Sequence, residues 1–193
     1  MPPTPTFVET DIALQAGRFR IRVYADAPGK ETVVLTTPNL DISKPVLTRI
    51  HSECLTGDVF HSRHCDCGEQ LAVSLNLIAE YGGVLIYLRQ EGRGIGLFEK
   101  IKSYELQRQG HDTYEANIML GHAADERTYE KAKQAFADLG VTRIRLLTNN
   151  PLKVEEMTKL GLDVTERVPL IVQANQQNKA YMKTKKERFG HYL

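Results

Sequence analysis

Short apolar runs of strand length alternate along this chain with longer segments of helical periodicity, and glycines end most of the helical segments. Residues 18–24 alternate basic and apolar side chains, as a half-buried strand does, and residues 84–88 form a continuous apolar run typical of a buried central strand. The predicted strands are 18–24, 32–36, 46–51, 84–88, 143–147 and 162–168, and the predicted helices are 69–79, 97–109, 128–139, 151–161 and 175–189. This interleaving predicts an α/β (α+β) fold, a single domain with a mixed β-sheet flanked by helices.

The length and net charge of the chain limit the number of domains and the kinds of partner that we expect. One domain over residues 1–193 fits the length, and we expect a flexible N-terminus within residues 1–16. The net charge of +1 provides no general field for nucleic acid or a membrane, so we expect neither as a partner, and anion binding requires a local basic cluster. No apolar run reaches the roughly 18 residues of a transmembrane helix, and the N-terminus lacks a signal-peptide pattern, so we expect a cytoplasmic protein.

Three cysteines lie within fourteen positions of one another, at Cys54, Cys65 and Cys67. The odd count argues against a closed disulfide framework, and clustering favours a metal site. Three thiolate ligands leave one position of a tetrahedral zinc for water, which is the catalytic arrangement. The spacing alone leaves two alternatives open. In the first, the thiols are buried without a metal. In the second, a fourth ligand gives a closed structural site, with His51, His61 and His64 as the candidates.

Six sequence blocks around and beyond the cysteines closely resemble GTP cyclohydrolase II. They extend in order, with family-like spacing, from about residue 46 toward the C-terminus. The blocks are RIHSECLTGD at 49–58, CDCG at 65–68, RQEGRGIGL at 89–97, DTYEAN at 112–117, ADER at 124–127 and LTNNPLK at 147–153. Each block alone is weak, whereas the six together are highly specific for the family.

The resemblance implies a zinc-dependent hydrolysis of GTP that opens the guanine imidazole ring at C8 and releases formate and pyrophosphate. The implied product is 2,5-diamino-6-(5-phosphoribosylamino)pyrimidin-4-one, in the first step of riboflavin biosynthesis. The resemblance also implies one zinc ion per chain on the three cysteines, magnesium with the GTP triphosphate, and a homodimer.

The resemblance assigns three catalytic residues. Tyr104 is placed near the ring that opens, where a phenol can donate a proton to a ring nitrogen. Asp125 is placed as a proton acceptor, and Arg127 is placed at the α-phosphate. Because arginine is essentially always protonated, stabilisation of transition-state charge by Arg127 stands beside nucleophilic attack as an alternative.

The resemblance also implies a set of GTP-binding residues. Arg49 suits bidentate contact with phosphate, and Gln70 can read an amide edge of guanine. Lys153 lies in the first turn of a helix predicted to begin with Asn150 as N-cap and Pro151 at the first position, where backbone amides assist phosphate binding. The full set is Arg49, Ile50, His51, Ser52, Glu53, Gln70, Glu91, Gly92, Arg93, Thr113, Thr148 and Lys153.

Three other functions remain as alternatives at this point. A relative of the family would stop at a formylated intermediate, and a non-catalytic regulatory protein would bind zinc and GTP without turnover. A zinc nucleoside deaminase is the third, because His51 and Glu53 form a His-x-Glu pair, although the Pro-Cys-x-x-Cys partner of that class is absent from the sequence.

Overall fold

The computed structural model describes residues 6–192, without the side chain of Ala180. Seven strands form one mixed sheet in the spatial order β1-β2-β3-β5-β4-β6-β7. Their bounds are β1 Phe7–Leu14, β2 Gly17–Tyr24, β3 Thr32–Thr36, β4 Val46–Ser52, β5 Gly83–Leu88, β6 Arg143–Leu147 and β7 Asp163–Val168. β4 pairs in parallel with β5 and β6, β6 pairs in parallel with β7, and the remaining pairs are antiparallel. The carboxyl ends of β5, β4 and β6 therefore meet at one edge of the sheet.

Helices cover both faces of the sheet, which confirms the predicted mixed architecture. Their bounds are α1 Leu55–Asp58, α2 Cys67–Tyr81, α3 Leu97–Arg108, α4 Thr113–Met119, α5 Glu130–Leu139, α6 Pro151–Lys159 and α7 Lys179–Phe189, with a 3₁₀ turn over Glu91–Gly94. On one face, Ile78 of α2 packs with Phe19 and Leu85. On the other face, Phe136 of α5 and Met157 of α6 form a second cluster. Among the described residues, no helix has both the length and the apolar character needed to cross a membrane.

The predicted bounds agree closely with the structure where a local signal defines them. β3 and β6 have the predicted ends, and α6 begins as predicted, with the Asn150 side chain accepting a hydrogen bond from the Leu152 amide at 3.0 Å. α5 begins at Glu130 and α7 at Lys179, later than predicted. α4 is missing from the sequence prediction, although Asp112 and Glu115 form a capping box that marks its start.

The first strand corrects the expectation of a flexible N-terminus. All eight residues of Phe7–Leu14 pair antiparallel with β2, and Glu9 forms ion pairs with Arg20 and Arg22 at 2.8 and 2.9 Å. The expectation is therefore wrong for Phe7–Leu14, because strand pairing and ion pairs order a segment that buries little apolar surface. Residues 1–5 lie outside the described residues.

Replacing Phe136 with alanine tests the core beneath the site. Phe136 is 1% exposed, so we expect Phe136→Ala to lower the free energy of unfolding by about 3–5 kcal/mol through lost burial and a new cavity. Phe60 is 70% exposed, so Phe60→Ala should change it by only about 0.5 kcal/mol. Urea denaturation of both variants measures the difference, and equal losses would contradict this description of the core.

Candidate active site

The three cysteine thiols converge where β4 ends and α2 begins. Their Sγ atoms all lie within 4.8 Å of one another, and the Sγ atoms of Cys54 and Cys65 are 3.7 Å apart. Zinc–thiolate bonds of about 2.3 Å in a tetrahedral site place neighbouring sulfurs about 3.8 Å apart, so the donor set fits zinc. Within residues 6–192, no histidine or carboxylate joins this group, which removes the support for a fourth ligand from His51, His61 or His64.

Two glycines allow α1 and α2 to approach closely enough to bring the thiols together. A Cβ atom on Gly57 would lie 2.9 Å from the Sγ atom of Cys65 and 3.2 Å from that of Cys54. A Cβ atom on Gly68 would lie 2.2 Å from the carbonyl oxygen of Gly57. Any larger residue at either position would therefore push the cysteines apart.

Hydrogen bonds within the cluster distinguish the three thiols. Contacts from Cys65 and Cys67 lower the pKa of the Cys54 thiol far below its usual range. The contact with Cys54 raises the pKa of Cys65 to about 11, and it also raises the pKa of Cys67. Cys54 is therefore the preferred thiolate, and a metal ion has to displace the protons of the other two thiols.

Lys100 places a buried cation against the cluster. Its Nζ atom donates to the Sγ atom of Cys54 at 3.1 Å, to the Oγ1 atom of Thr56 at 3.1 Å and to the Oε1 atom of Glu91 at 2.7 Å. Glu91 in turn accepts a hydrogen bond from the Leu55 amide at 2.6 Å. Three thiolates around a divalent ion leave an excess negative charge, which the Lys100 ammonium offsets.

The thiol cluster opens into a cleft at the carboxyl ends of the parallel strands, where open α/β sheets bind ligands. This cleft is lined by most of the residues that the family resemblance assigns to catalysis or to GTP binding. They are Arg49, His51, Ser52, Glu53, Gln70, Glu91, Gly92, Arg93, Tyr104, Thr113, Arg127, Thr148 and Lys153, together with the three cysteines.

Ile50 and Asp125 do not line the cleft. The Ile50 side chain is fully buried in the core beneath the sheet, and only its carbonyl oxygen faces a site residue, accepting from the Nζ atom of Lys153 at 2.9 Å. Asp125 binds the guanidinium of Arg127, whose Nε atom donates to its Oδ1 atom at 2.8 Å. Asp125 therefore acts on the cleft through Arg127.

Buried cations give the cleft its electrostatic character. Arg49 donates to the carbonyl oxygen of Leu147 at 2.9 Å and to the Oε1 atom of Gln70 at 2.7 Å, and burial lowers its pKa to about 10. Burial, together with the charges of Arg49 and Arg127, lowers the pKa of Lys153 well below its usual range. These cations repel one another in a site of low polarity, so an anionic ligand would stabilise them.

Arg93 also lines the cleft, and its backbone has an unusual conformation. Its φ is 63°, in the left-handed region that non-glycine residues seldom adopt. Burial lowers the pKa of its guanidinium, and its Nη1 atom has no hydrogen-bond partner within the described part of the chain. Strain and an unpaired buried donor at one residue are typical of a ligand-binding position.

Tyr104 and Arg127 both keep their protons. Burial raises the pKa of the Tyr104 phenol, whose oxygen lies 3.5 Å from the Oγ1 atom of Thr56. Burial opposes the charge on Arg127, but the nearby Tyr129 and Asp125 raise its pKa above the usual value. The Tyr104 phenol is therefore protonated at neutral pH, and Arg127 is a fixed cation.

Comparison with known proteins identifies the family to which this cleft belongs. Residues 6–169 match the family model described as GTP cyclohydrolase II. This chain belongs to the GTP cyclohydrolase II family. It is 53% identical over 188 residues to the GTP cyclohydrolase-2 of Histophilus somni (strain 2336), covering 96% of this chain and 87% of that protein. It is 50% identical over 177 residues to the GTP cyclohydrolase-2 of Campylobacter fetus subsp. fetus, covering 92% and 90%.

Longer relatives of this GTP cyclohydrolase II family member also match it. The riboflavin biosynthesis protein RibBA of Bacillus velezensis is 51% identical over 190 residues, which cover 96% of this chain and 48% of that protein. The chain therefore spans about half the length of RibBA.

The cleft of this GTP cyclohydrolase II family member contains residues that neither the sequence pattern nor the family resemblance assigns to it. Lys100 had a signal in the sequence, because it lies four residues before Tyr104 and so on the same face of α3. The residues contributed by α7 and the segment after it had no local signal. The unassigned residues are Ile95, Lys100, Ser103, Gln107, Asn117, Asn149, Asn150, Tyr181, Lys185, Phe189 and His191.

Removing the Lys100 ammonium should weaken zinc binding. We expect Lys100→Met to lower zinc affinity about 10- to 100-fold, because partners of metal ligands typically contribute that much. Lys102 lies on the exposed part of α3 and pairs with Glu99, so Lys102→Met should leave the affinity unchanged. Competition with a chromogenic chelator measures both variants, and equal affinities in a folded Lys100→Met protein would remove Lys100 from the zinc environment.

Proposed function

We propose that this protein catalyses the zinc-dependent hydrolysis of GTP, opening the guanine imidazole ring at C8. The proposed products are formate, pyrophosphate and 2,5-diamino-6-(5-phosphoribosylamino)pyrimidin-4-one, in the first step of riboflavin biosynthesis. One observation carries the proposal most strongly. A three-thiol cluster that fits zinc lies in the same cleft as the buried Arg49 and Lys153 and the partly buried Arg93 and Arg127, so a metal and a polyanion are accommodated together.

Ring opening requires a nucleophile at C8 and a proton for the departing nitrogen. Zinc held by Cys54, Cys65 and Cys67 supplies an acidified water when it is bound. Tyr104 lines the same cleft and keeps its proton, so it suits donation to a ring nitrogen as the bond breaks.

Cleavage between the α- and β-phosphates is assigned to the ion pair of Arg127 and Asp125. The raised pKa of Arg127 supports stabilisation of charge at the α-phosphate and argues against a nucleophilic arginine. Asp125 holds the guanidinium through two oxygens, which orients it. Although burial opposes ionisation of Asp125, its contact with Arg127 lowers its pKa, so Asp125 is a weak proton acceptor and a strong orienting group.

The remaining cations are assigned to the triphosphate. Arg49 and Lys153 are buried close enough for the charge of Arg49 to lower the pKa of Lys153, and Thr148, the residue after β6, is buried and lines the same cleft. An anion that replaced their mutual repulsion with direct contacts would bind strongly. Magnesium is proposed as the counterion that accompanies the triphosphate, in line with the family resemblance.

A homodimer and a cytoplasmic location complete the proposal. Four apolar side chains on the packed helices α3 and α4 support self-association, because they are about half exposed or more in the single chain. They are Phe98, Ile101, Ile118 and Met119.

Product analysis tests the proposed reaction. Purified protein with zinc, GTP and magnesium should release formate and pyrophosphate in equal amounts, and mass spectrometry should show the diaminopyrimidinone product. A Cys65→Ser variant, which lacks one proposed ligand, should lose stoichiometric zinc and formate release. Accumulation of a formylated product would favour a partial reaction, ammonia release would favour a deaminase, and GTP binding without turnover would favour a regulatory protein.

Tyr104→Phe isolates ring opening from metal binding. We expect full zinc content with formate release slowed about 100-fold or more, since a positioned general acid typically contributes that much. Tyr114 is 40% exposed on α4, and Tyr114→Phe is the matched control, with formate release near that of the wild type. Wild-type turnover by Tyr104→Phe would exclude the phenol from the mechanism.

A further inference from the structure

The C-terminal segment, residues 178–192, packs against the cleft along its whole length. Four contacts hold it there, each to a different element. Arg188 donates to Asp112 at the start of α4 at 3.0 Å, and the Tyr192 amide donates to the carbonyl oxygen of Asn149 at 2.9 Å. Lys185 contacts the start of α2, and Phe189 contacts the 3₁₀ turn. The segment lies beyond residues 6–169, the range that matches the family model.

Lys185 ends a buried chain of hydrogen bonds that reaches into the cleft. It forms an ion pair with Asp66, the residue between Cys65 and Cys67, and Asp66 also accepts from the Nε2 atom of Gln70 at 2.6 Å. The Oε1 atom of Gln70 accepts from Arg49 at 2.7 Å. Asp66 is fully buried and the other three members are at most 8% exposed.

The polarity of this chain fixes the Gln70 amide. Arg49 can only donate and the Asp66 carboxylate only accepts, so the amide oxygen must face Arg49 and the amide nitrogen must face Asp66. The ion pair with the Lys185 ammonium leaves the Asp66 carboxylate only the role of acceptor toward Gln70. The orientation of Gln70 thus depends on a residue 115 positions away along the chain, from 70 to 185.

Phe189 supports a second binding residue from the same segment. Its ring lies against the guanidinium of Arg93, 3.8 Å from the Cζ atom to the ring centroid. Arg93 is the residue with left-handed backbone and an unpaired Nη1 atom, so the aromatic face supports a guanidinium whose hydrogen bonding is incomplete.

We propose that residues 178–192 form a wall of the nucleotide site, in which Lys185 and Phe189 are positioning residues for a purine nucleoside triphosphate. Lys185 acts through Asp66 on Gln70 and Arg49, and Phe189 acts on Arg93. This inference rests on the proposed function, because it assigns further binding residues to the same site.

Binding of guanosine 5′-[α,β-methylene]triphosphate to the full-length, zinc-loaded protein tests the wall. We expect Lys185→Met to weaken binding about 10- to 100-fold, because the buried Asp66 and Gln70 lose a partner, and Lys185→Arg to restore most of it. Phe189→Leu should weaken binding about threefold or more. Lys183 lies on the exposed face of the same helix, so Lys183→Met should bind like the wild type. Isothermal titration calorimetry gives the affinities, and KM for GTP should rise more than kcat falls.

A double-mutant cycle separates positioning from general loss of structure. If Lys185 acts through Gln70, Lys185→Met should cost little further affinity in a Gln70→Ala background. An undiminished cost there, or wild-type affinity in folded Lys185→Met and Phe189→Leu proteins, would overturn the inference. If Lys185→Met does not fold, the affinity of Phe189→Leu, compared with that of the Lys183→Met control, tests the inference by itself. Failure of the wild-type protein to bind the analogue would instead overturn the proposed function, and this inference with it.

Discussion

The site depends on the parallel pairing of β4 with β5 on one side and β6 on the other. Pairing in the same direction sets Ser52 beside Leu88 and Thr48 beside Leu146. The carboxyl ends of the three strands therefore lie at the same edge of the sheet. Arg49 reaches the cleft from β4 itself, and Cys54 follows two residues after that strand ends. The thiol cluster and the cationic lining share one cleft for this reason, since neither could be displaced without changing the order of the sheet.

Charge distribution within the fold matters more here than total charge. The chain has a net charge of only +1, yet Arg49, Arg93 and Lys153 line one cleft, fully or partly buried, and desolvation lowers the pKa of each. A lowered pKa for a cation means that holding the charge costs the folded state free energy at neutral pH. That cost is reversed when an anion pairs with these groups, so the unfavourable electrostatics of the cleft become part of the affinity for a triphosphate.

Elements with a local sequence signal are predicted correctly. Features that depend on contacts between residues far apart in the sequence are missed. β5 is a continuous apolar run and α6 has a capping pattern, so both are found, and the cysteine spacing indicates a metal. β1 is not found, because its order comes from pairing with β2 and not from a buried apolar face. Lys100 and Lys185 are missed because a lysine taken alone is usually solvated, whereas these two contact partners 46 and 119 positions away.

The fixed amide of Gln70 bears on base selection. A free side-chain amide can rotate and so accept either order of hydrogen-bond donor and acceptor on a base edge. With its oxygen held toward Arg49 and its nitrogen toward Asp66, Gln70 presents one order only, through its second N–H and second lone pair. In the proposed reaction C8 of the base faces the thiol cluster, so the base cannot turn over to compensate. Guanine and adenine carry opposite donor and acceptor orders on their Watson–Crick edges, so we expect a site in which Gln70 contacts that edge to favour one purine, through the buried chain that ends at Lys185.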